Sequence, residues 1–346
     1  MIIFLDDTNC KDDLVPFTYT RHVADIRIGI LTIREKWSGL SKLTTDFTVS
    51  AEKTAQTVVM PANIIPTMDN YGQLLQAAQL NTLAVLSKDL PVIQFPWDIF
   101  QLNEWAIQKD FEWITKNRTS QPLNSSNFCL KAEHIFIEAG VKMNHCSLNA
   151  EKGPIYIGAN AEIMEGSLLR GPISIGENSV VKMGARLYGG TTIGPSCVAA
   201  GEIKNSVLFE YTNKAHDGYL GDSVIGAWCN LGAGTTNSNV KNNAGDIYYS
   251  KDNLFHSTSP GNKAGLLMGD YSRSAINTTF NTGSFVGVSC NVFATGFPET
   301  YIPNFTWGKE KYILNKALND IDKWKKMKNK SITPQEIERL TNLYQS

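Results

Sequence analysis

Lys204, His216, Tyr219 and Asn230 put an ammonium, an imidazole, a phenol and an amide into one short stretch of a 346-residue chain. An imidazole titrates near neutrality, so His216 is suited to take the proton of an ammonium group and free it as a nucleophile. Lys204 and Tyr219 offer a cation and a hydroxyl donor to a negatively charged group such as a phosphate. A lone histidine is more often structural than catalytic. The backbone amides of G-A-G-T, residues 232 to 235, are suitable donors for an oxygen turning anionic, although any tight corner could carry that motif.

Something must hold these residues in place, and the sequence around them keeps an unusual period. Stepping by six from Ile157 meets Ile163, Leu169, Ile175, Val181, Leu187, Ile193 and Ala199, with glycine one residue after the hit at Gly158, Gly176 and Gly194. A period of six fits neither an α-helix nor an ordinary strand. It fits a triangular solenoid, in which three short strands close one coil and each aliphatic residue points inward onto the coil below. The glycines and asparagines of G-A-N, G-E-N and M-N-H then serve the corners, where a Cβ is resisted. This is the hexapeptide repeat of left-handed parallel β-helices, an exception to right-handed crossovers. After Ala199 the register slips by two and resumes through Val207, Tyr219, Ile225 and Leu231, then recurs through Met268, Phe280, Val286 and Val292. N-K-A-H-D-G-Y-L-G-D, residues 213 to 222, stands at that break. Residues 237 to 262, rich in asparagine and without the repeat, read as a loop extruded from the coil and reaching toward a neighbouring subunit.

With G-E-I-K-N-S at 201 to 206, H-D-G-Y-L-G-D at 216 to 222 and N-L-G-A-G-T at 230 to 235, the chain resembles the acetyltransferase half of a bifunctional bacterial family. That family acetylates glucosamine 1-phosphate and converts the product to UDP-N-acetylglucosamine. The resemblance implies His216 as the general base and Lys204 and Tyr219 as contacts to the sugar phosphate. It further implies that Asn230 orients substrate, that Glu202 fills the family's acidic position, and that Ala233 gives a backbone contact to acyl-CoA. Acetyl-CoA would be the cosubstrate. One departure is Tyr188 in L-Y-G-G-T, where the family has a basic residue; Arg186 and Arg170 lie on neighbouring coils.

Residues 1 to 116 alternate short apolar runs (I-I-F-L at 2 to 5, T-V-V-M at 57 to 60, L-A-V-L at 83 to 86) with helical patterns, including an amphipathic stretch from Trp97 to Thr115. This predicts an α/β domain. L-V-P-F-T-Y-T-R-H-V-A-D-I-R-I-G-I-L-T-I-R-E-K-W, residues 14 to 37, resembles the opening of a divergent group of sugar nucleotidyltransferases joined to a hexapeptide domain. The glycine-rich phosphate loop of the bifunctional enzymes is missing, so the resemblance leaves Arg21, Arg27 and Lys36 to hold nucleotide phosphates with cationic side chains. Mg²⁺ would accompany nucleotidyl transfer, but no residue is assigned to a metal; Asp6 and Asp98 are merely available.

The expected organisation is a shortened nucleotidyltransferase-like domain at 1–116, a linker at 117–132, the left-handed β-helix at 133–308 and a helical tail at 309–346. In the tail, Leu314, Ala317, Ile321 and Trp324 form one stripe that caps the solenoid or packs beside it, its lysines reading as a solvated face, and T-P-Q-E at 333 to 336 reads as a capping box. A net charge of -1 gives no electrostatic footprint for nucleic acid, and 42% hydrophobic residues without a long apolar run exclude a membrane span. The opening M-I-I-F-L-D-D lacks a basic n-region, which points to the cytoplasm. Six scattered cysteines read as small buried hydrophobes. The function expected is an acyl-CoA-dependent acyltransferase acting on an amino sugar phosphate or nucleotide sugar, coupled to sugar-1-phosphate nucleotidyl transfer, in a homotrimer. The alternatives are a sugar-1-phosphate nucleotidyltransferase on a β-helical scaffold and a non-catalytic trimeric scaffold.

Overall fold

The computed structural model describes residues 2–46, 57–80, 82–83, 90–249, 255 and 258–346. Most of the apolar run at 83–86 and part of the 237–262 stretch lie outside these residues.

The first strand, Ile2–Asp6, is flanked in parallel by Thr44–Asp46 and Thr57–Pro61. Helices Ile33–Ser41, Tyr71–Gln79 and Asn103–Ile114 complete an α/β unit. Thr32 caps the first of them in a full capping box with Glu35.

From Phe128 the chain climbs as a parallel β-helix. Ile155–Ile157, Glu162–Ile163 and Leu168–Arg170 are three sides of one coil, and Ile173–Ile175 returns to the first side in register with Ile155–Ile157. The β-helix's own first strand, Phe128–Leu130, lies inside the stretch expected to be linker and pairs with Ser147–Asn149. The connecting residues are themselves tied down, since Gln121 N donates to Ile137 O and Arg118 pairs with Glu138 at 2.7 Å.

The aliphatic column fills the coil interior, from Ile137, Ile157 and Ile175 up to Val286 and Ile302. Gly158, Gly176 and Gly194 have ordinary φ but stand where a Cβ would come within 2.6 Å of the backbone of the next coil. They serve close stacking of coils. The left-handed conformation falls instead on Asn160, Asn178 and Ser196, at φ of 57°, 56° and 58°, and in M-N-H on His145 rather than Asn144.

The two-residue slip has a definite place. Between Ala199 and Glu202 the corner holds two residues, whereas Lys214 and Tyr219 are separated by four. Beyond it, Glu202–Leu208 and Tyr219–Ile225 run through the next corner as single strands bent at Asn205 and Asp222, both at φ 46°. The inward column there is Ile203, Leu208, Lys214, Leu220, Ile225 and Leu231. Val207 and Tyr219, expected in that column, point outward: Val207 joins the core of the α/β unit and Tyr219 lies half-buried on the outer face.

The α/β unit packs on the first side of the β-helix, sharing one core with Val207, Phe209, Val224, Leu267 and Phe285. At the seam, Asn103 Oδ1 accepts from Gly29 N (2.7 Å), Asn103 Nδ2 donates to Gly190 O (2.7 Å), and Thr192 Oγ1 donates to Gly29 O (2.8 Å). The described residues of the insertion at 238–265 join this seam: Ile247, Tyr249 and Phe255 are buried in the same core, and Tyr249 stacks on Trp97 at 5.6 Å. Helix Leu314–Lys326 lies beside the solenoid, with Ala317 and Ile321 packed on Tyr271, Val288 and Phe305. Its lysines do more than solvate. Lys325 is buried against Glu336, and Lys328 donates to Ser196 O. The capping box at Thr333 forms, with Pro334 in the first turn. The cysteines are free, four of them buried. Among the described residues no helix is long and apolar enough to cross a membrane.

Candidate functional site

Alternation along Glu202–Leu208 turns Ile203 inward and Glu202 and Lys204 outward. The next coil sets Tyr219 beside Glu202 and Gly221 beside Lys204. Tyr219 lies flat along this face. A Cβ on Gly221 would fall 2.2 Å from the phenol oxygen, so glycine is what lets the ring lie there. Asn239 Nδ2 donates to the phenol oxygen at 3.1 Å and to Asp222 Oδ2 at 2.5 Å, and Asp222 Oδ1 accepts from Asn205 Nδ2 at 2.6 Å. Burial, then the charges of Asp222 and Glu202, push the Tyr219 hydroxyl up to about 12. It stays a proton donor at neutral pH. Glu202 pairs with Arg186 at 3.6 Å.

His216 stands exposed on the corner leading into Tyr219, and among the described residues its imidazole has no hydrogen-bond partner. Beneath it lies Lys214, on the inward column above Ala199 and fully enclosed. Its ammonium donates to the carbonyls of Ala200 (3.1 Å) and His216 (2.8 Å). Burial pushes Lys214 down to about 8, against the pull of Asp217. The shortened corner at Ala200 and Gly201 brings those carbonyls within reach. Ala233 occupies the same corner one coil on, where Gly234 N donates to Asp217 O at 3.1 Å.

One chain therefore gathers Glu202, Lys204 and Tyr219 on one face, with His216 and Ala233 on the adjoining corner. Asn230 lies around that corner on the second side of the coil, in a column with Asn213 and Arg273. The sequence reading passed over Lys214, Gly221, Asp222 and Asn239. The last two stood in plain view as part of a 17-residue spacing with Asn205.

The cations assigned to nucleotide phosphates are otherwise engaged. Arg21 pairs with Asp270 at 2.6 Å and with Glu210 at 3.4 Å, tying the α/β unit to the β-helix. Arg27 is buried and donates to Ile30 O. Lys36 is wholly enclosed against Asp110, which also accepts from Ile30 N at 2.8 Å. These residues form internal ties and not an open phosphate cradle. Asp98 Oδ2 accepts from Gln94 N and Phe95 N, Asp6 Oδ1 accepts from Thr8, and among the described residues no group of three or more His, Cys, Asp or Glu could hold a metal ion.

Fold and site together define an α/β unit docked on a hexapeptide-repeat β-helix whose perturbed corner displays a histidine. Residues 2–54 match the sugar nucleotidyl transferase family model. The chain is 32% identical over 123 residues to the bifunctional protein GlmU of Methanococcus maripaludis strain C5, covering 35% of this chain and 29% of that protein. It is 28% identical over 120 residues to GlmU of Methanocaldococcus jannaschii, covering 34% and 29%. The chain thus spans less than a third of the length of these curated relatives. Among solved structures it is similar to an Arabidopsis UDP-N-acetylglucosamine acyltransferase, at 13% identity and a TM-score of 0.30 over 65% of this chain and 90% of that one. The corresponding Francisella novicida enzyme gives 12% and 0.26 over 64% and 76%.

Proposed function

We propose that the chain is an acyl-CoA-dependent acyltransferase whose acceptor is an amino sugar phosphate or nucleotide sugar. The observation that carries this reading is the placement of His216, exposed and unpartnered, on the corner beside the Lys204 and Tyr219 face. His216 would take the proton of the acceptor's ammonium group. The free amine then attacks the thioester carbonyl, an N–C bond forms and the C–S bond breaks; the nitrogen sheds its second proton as the amide forms, the departing thiolate takes up one of the two protons and the other passes to solvent. Lys204 and the neutral Tyr219 hydroxyl would hold the acceptor's phosphate, and the corner amides around Ala233 lie along the acyl-CoA side. Since the His216 imidazole has no orienting group within the described residues of one chain, a homotrimer that completes the site between subunits fits this geometry. Replacing His216 with alanine should lower acyl transfer about a hundredfold or more with the melting temperature unchanged. Undiminished turnover overturns the assignment.

A second reading is sugar-1-phosphate nucleotidyl transfer, with the β-helix as scaffold. It is supported by the family match over residues 2–54, while the internal pairing of Arg21 and Lys36 weighs against the phosphate contacts first expected. Release of pyrophosphate from a nucleoside triphosphate and a sugar 1-phosphate is its assay.

A further inference from the structure

Arg273 faces outward on the second side of the β-helix, between Asn230 below and Asn291 above. Helix Leu314–Lys326 lies over it, with its guanidinium 4.9 Å from the ring centre of Trp324. The residue is only 7% exposed, yet its Nε and Nη2 meet no hydrogen-bond acceptor, and no carboxylate pairs with it among the described residues. Asn291 Nδ2, next to the Tyr312 hydroxyl, is likewise buried without an acceptor in hydrogen-bond geometry. The nearest acid, Asp320, is already engaged, accepting from Tyr312 at 2.5 Å and from Lys323 at 3.0 Å. A buried cation whose N–H groups lack an acceptor is costly, and burial pushes Arg273 below the usual guanidinium range against the nearby charge of Asp320.

Arg273, Asn291, Tyr312 and Lys323, together with the Asp320 carboxylate that Tyr312 and Lys323 engage, line a cavity of about 160 Å³ walled by Trp307 and Trp324. That is room for about five waters at ~30 Å³ each, or for one small oxyanion group. Nε and Nη2 form the side-on edge of the guanidinium, whose two parallel N–H groups match two oxygens of one anion. We propose that this cavity binds a small oxyanion, the phosphate or carboxylate group of a ligand, with Arg273 as its two-point anchor and Lys323 as a second cation at the rim.

The test titrates inorganic phosphate and, separately, acetate into the full chain at ionic strength held constant with chloride, following tryptophan emission and melting temperature. A saturable response to phosphate identifies a tetrahedral anion and one to acetate a carboxylate. Arg273→Lys should weaken binding at least about tenfold, because a charge-assisted two-point contact becomes a single one. Lys323→Ala, at a position 65% exposed, keeps the fold and should raise the half-saturation concentration severalfold. A response to both anions no larger than to chloride overturns the proposal, as does saturation that neither variant alters. The wild-type titration and Lys323→Ala decide the matter even if Arg273 variants fold poorly.

Discussion

The ammonium of Lys214 donates to the carbonyl oxygen of His216 at 2.8 Å from inside the β-helix. An inward lysine thus fixes the backbone of the corner that carries the proposed base. Lys214→Met keeps the volume but leaves the carbonyls of Ala200 and His216 unbonded, and should lower kcat for acyl transfer more than it lowers the melting temperature. The charge also sets a pH dependence. The folded-state value of about 8 lies below the free-lysine value of 10.5, so between them the unfolded chain binds more protons and wild-type stability rises with pH. Relative to Lys214→Met, the wild type should gain on the order of 2 kcal/mol from pH 7 to pH 10 in denaturant titrations. A constant difference across that range would mean Lys214 is not buried as a charge.

Tyr219 makes its own demand on Gly221. An added methyl would meet the phenol, the movable end of a side chain, and not backbone. Gly221→Ala should therefore cost less than about 1 kcal/mol in stability. It must still lift the ring off the face and break the contact from Asn239. The expected result is a raised KM for the phosphorylated acceptor with KM for acyl-CoA unchanged, measured by varying each substrate in turn.

The six-residue rhythm was legible because the inner column repeats one chemistry at one spacing, as from Ile157 to Ile193. Lys214 was not, since a lysine breaks an apolar count even when it sits on the inward position. The same limit shifted Val207 and Tyr219 by one residue each. The corner column was legible only where it uses asparagine: higher up, the left-handed position passes to Tyr211, Trp228, Tyr271 and Phe305, at φ of 61°, 59°, 63° and 56°. Bulky residues rarely adopt that conformation. Here packing offsets it, with Tyr211 stacked on Trp228 at 4.2 Å and Tyr271 donating to Glu336 at 2.8 Å. Those rings are the platform for the tail helices, a tertiary demand that no local pattern encodes. His216, Lys204 and Tyr219 were singled out by residue type and by the family resemblance, but their burial and the turn of Asn230 to another side needed the coil.

Lys36 and Asp110 offer a discriminating pair. Burial pushes the lysine down and the carboxyl up, and each is held by the other. Asp110→Ala strands a wholly enclosed ammonium and should cost about 3–5 kcal/mol. Lys36→Met should cost less, because the carboxylate keeps the amides of Ile30 and Leu31. Both variants should lower the melting temperature, yet Lys36→Met should leave any thermal shift by UTP or dTTP intact. A shift abolished by Lys36→Met would return Lys36 to a nucleotide site.

Trp97 holds the insertion to the body of the molecule. Its ring stacks on Phe95 at 4.7 Å and on Tyr249 at 5.6 Å, and meets Phe255 edge-on at 5.1 Å. The approach to helix Asn103–Ile114 and the insertion meet at this ring, and Phe255 carries the contact on to Phe285 on the first side of the β-helix at 6.3 Å. Trp97→Ala removes their common partner at a buried position and should cost about 3–5 kcal/mol. Loss of the ring frees the insertion before it frees the coils, whose strands are bonded above and below. Trypsin should then cut after Lys241 and Lys263 in the variant at temperatures where the wild type resists, while the β-helix survives as a protected fragment. Equal protection of both sites in the two proteins would mean the insertion is held by its own backbone contacts, such as the bond from Ala264 N to Asn239 O.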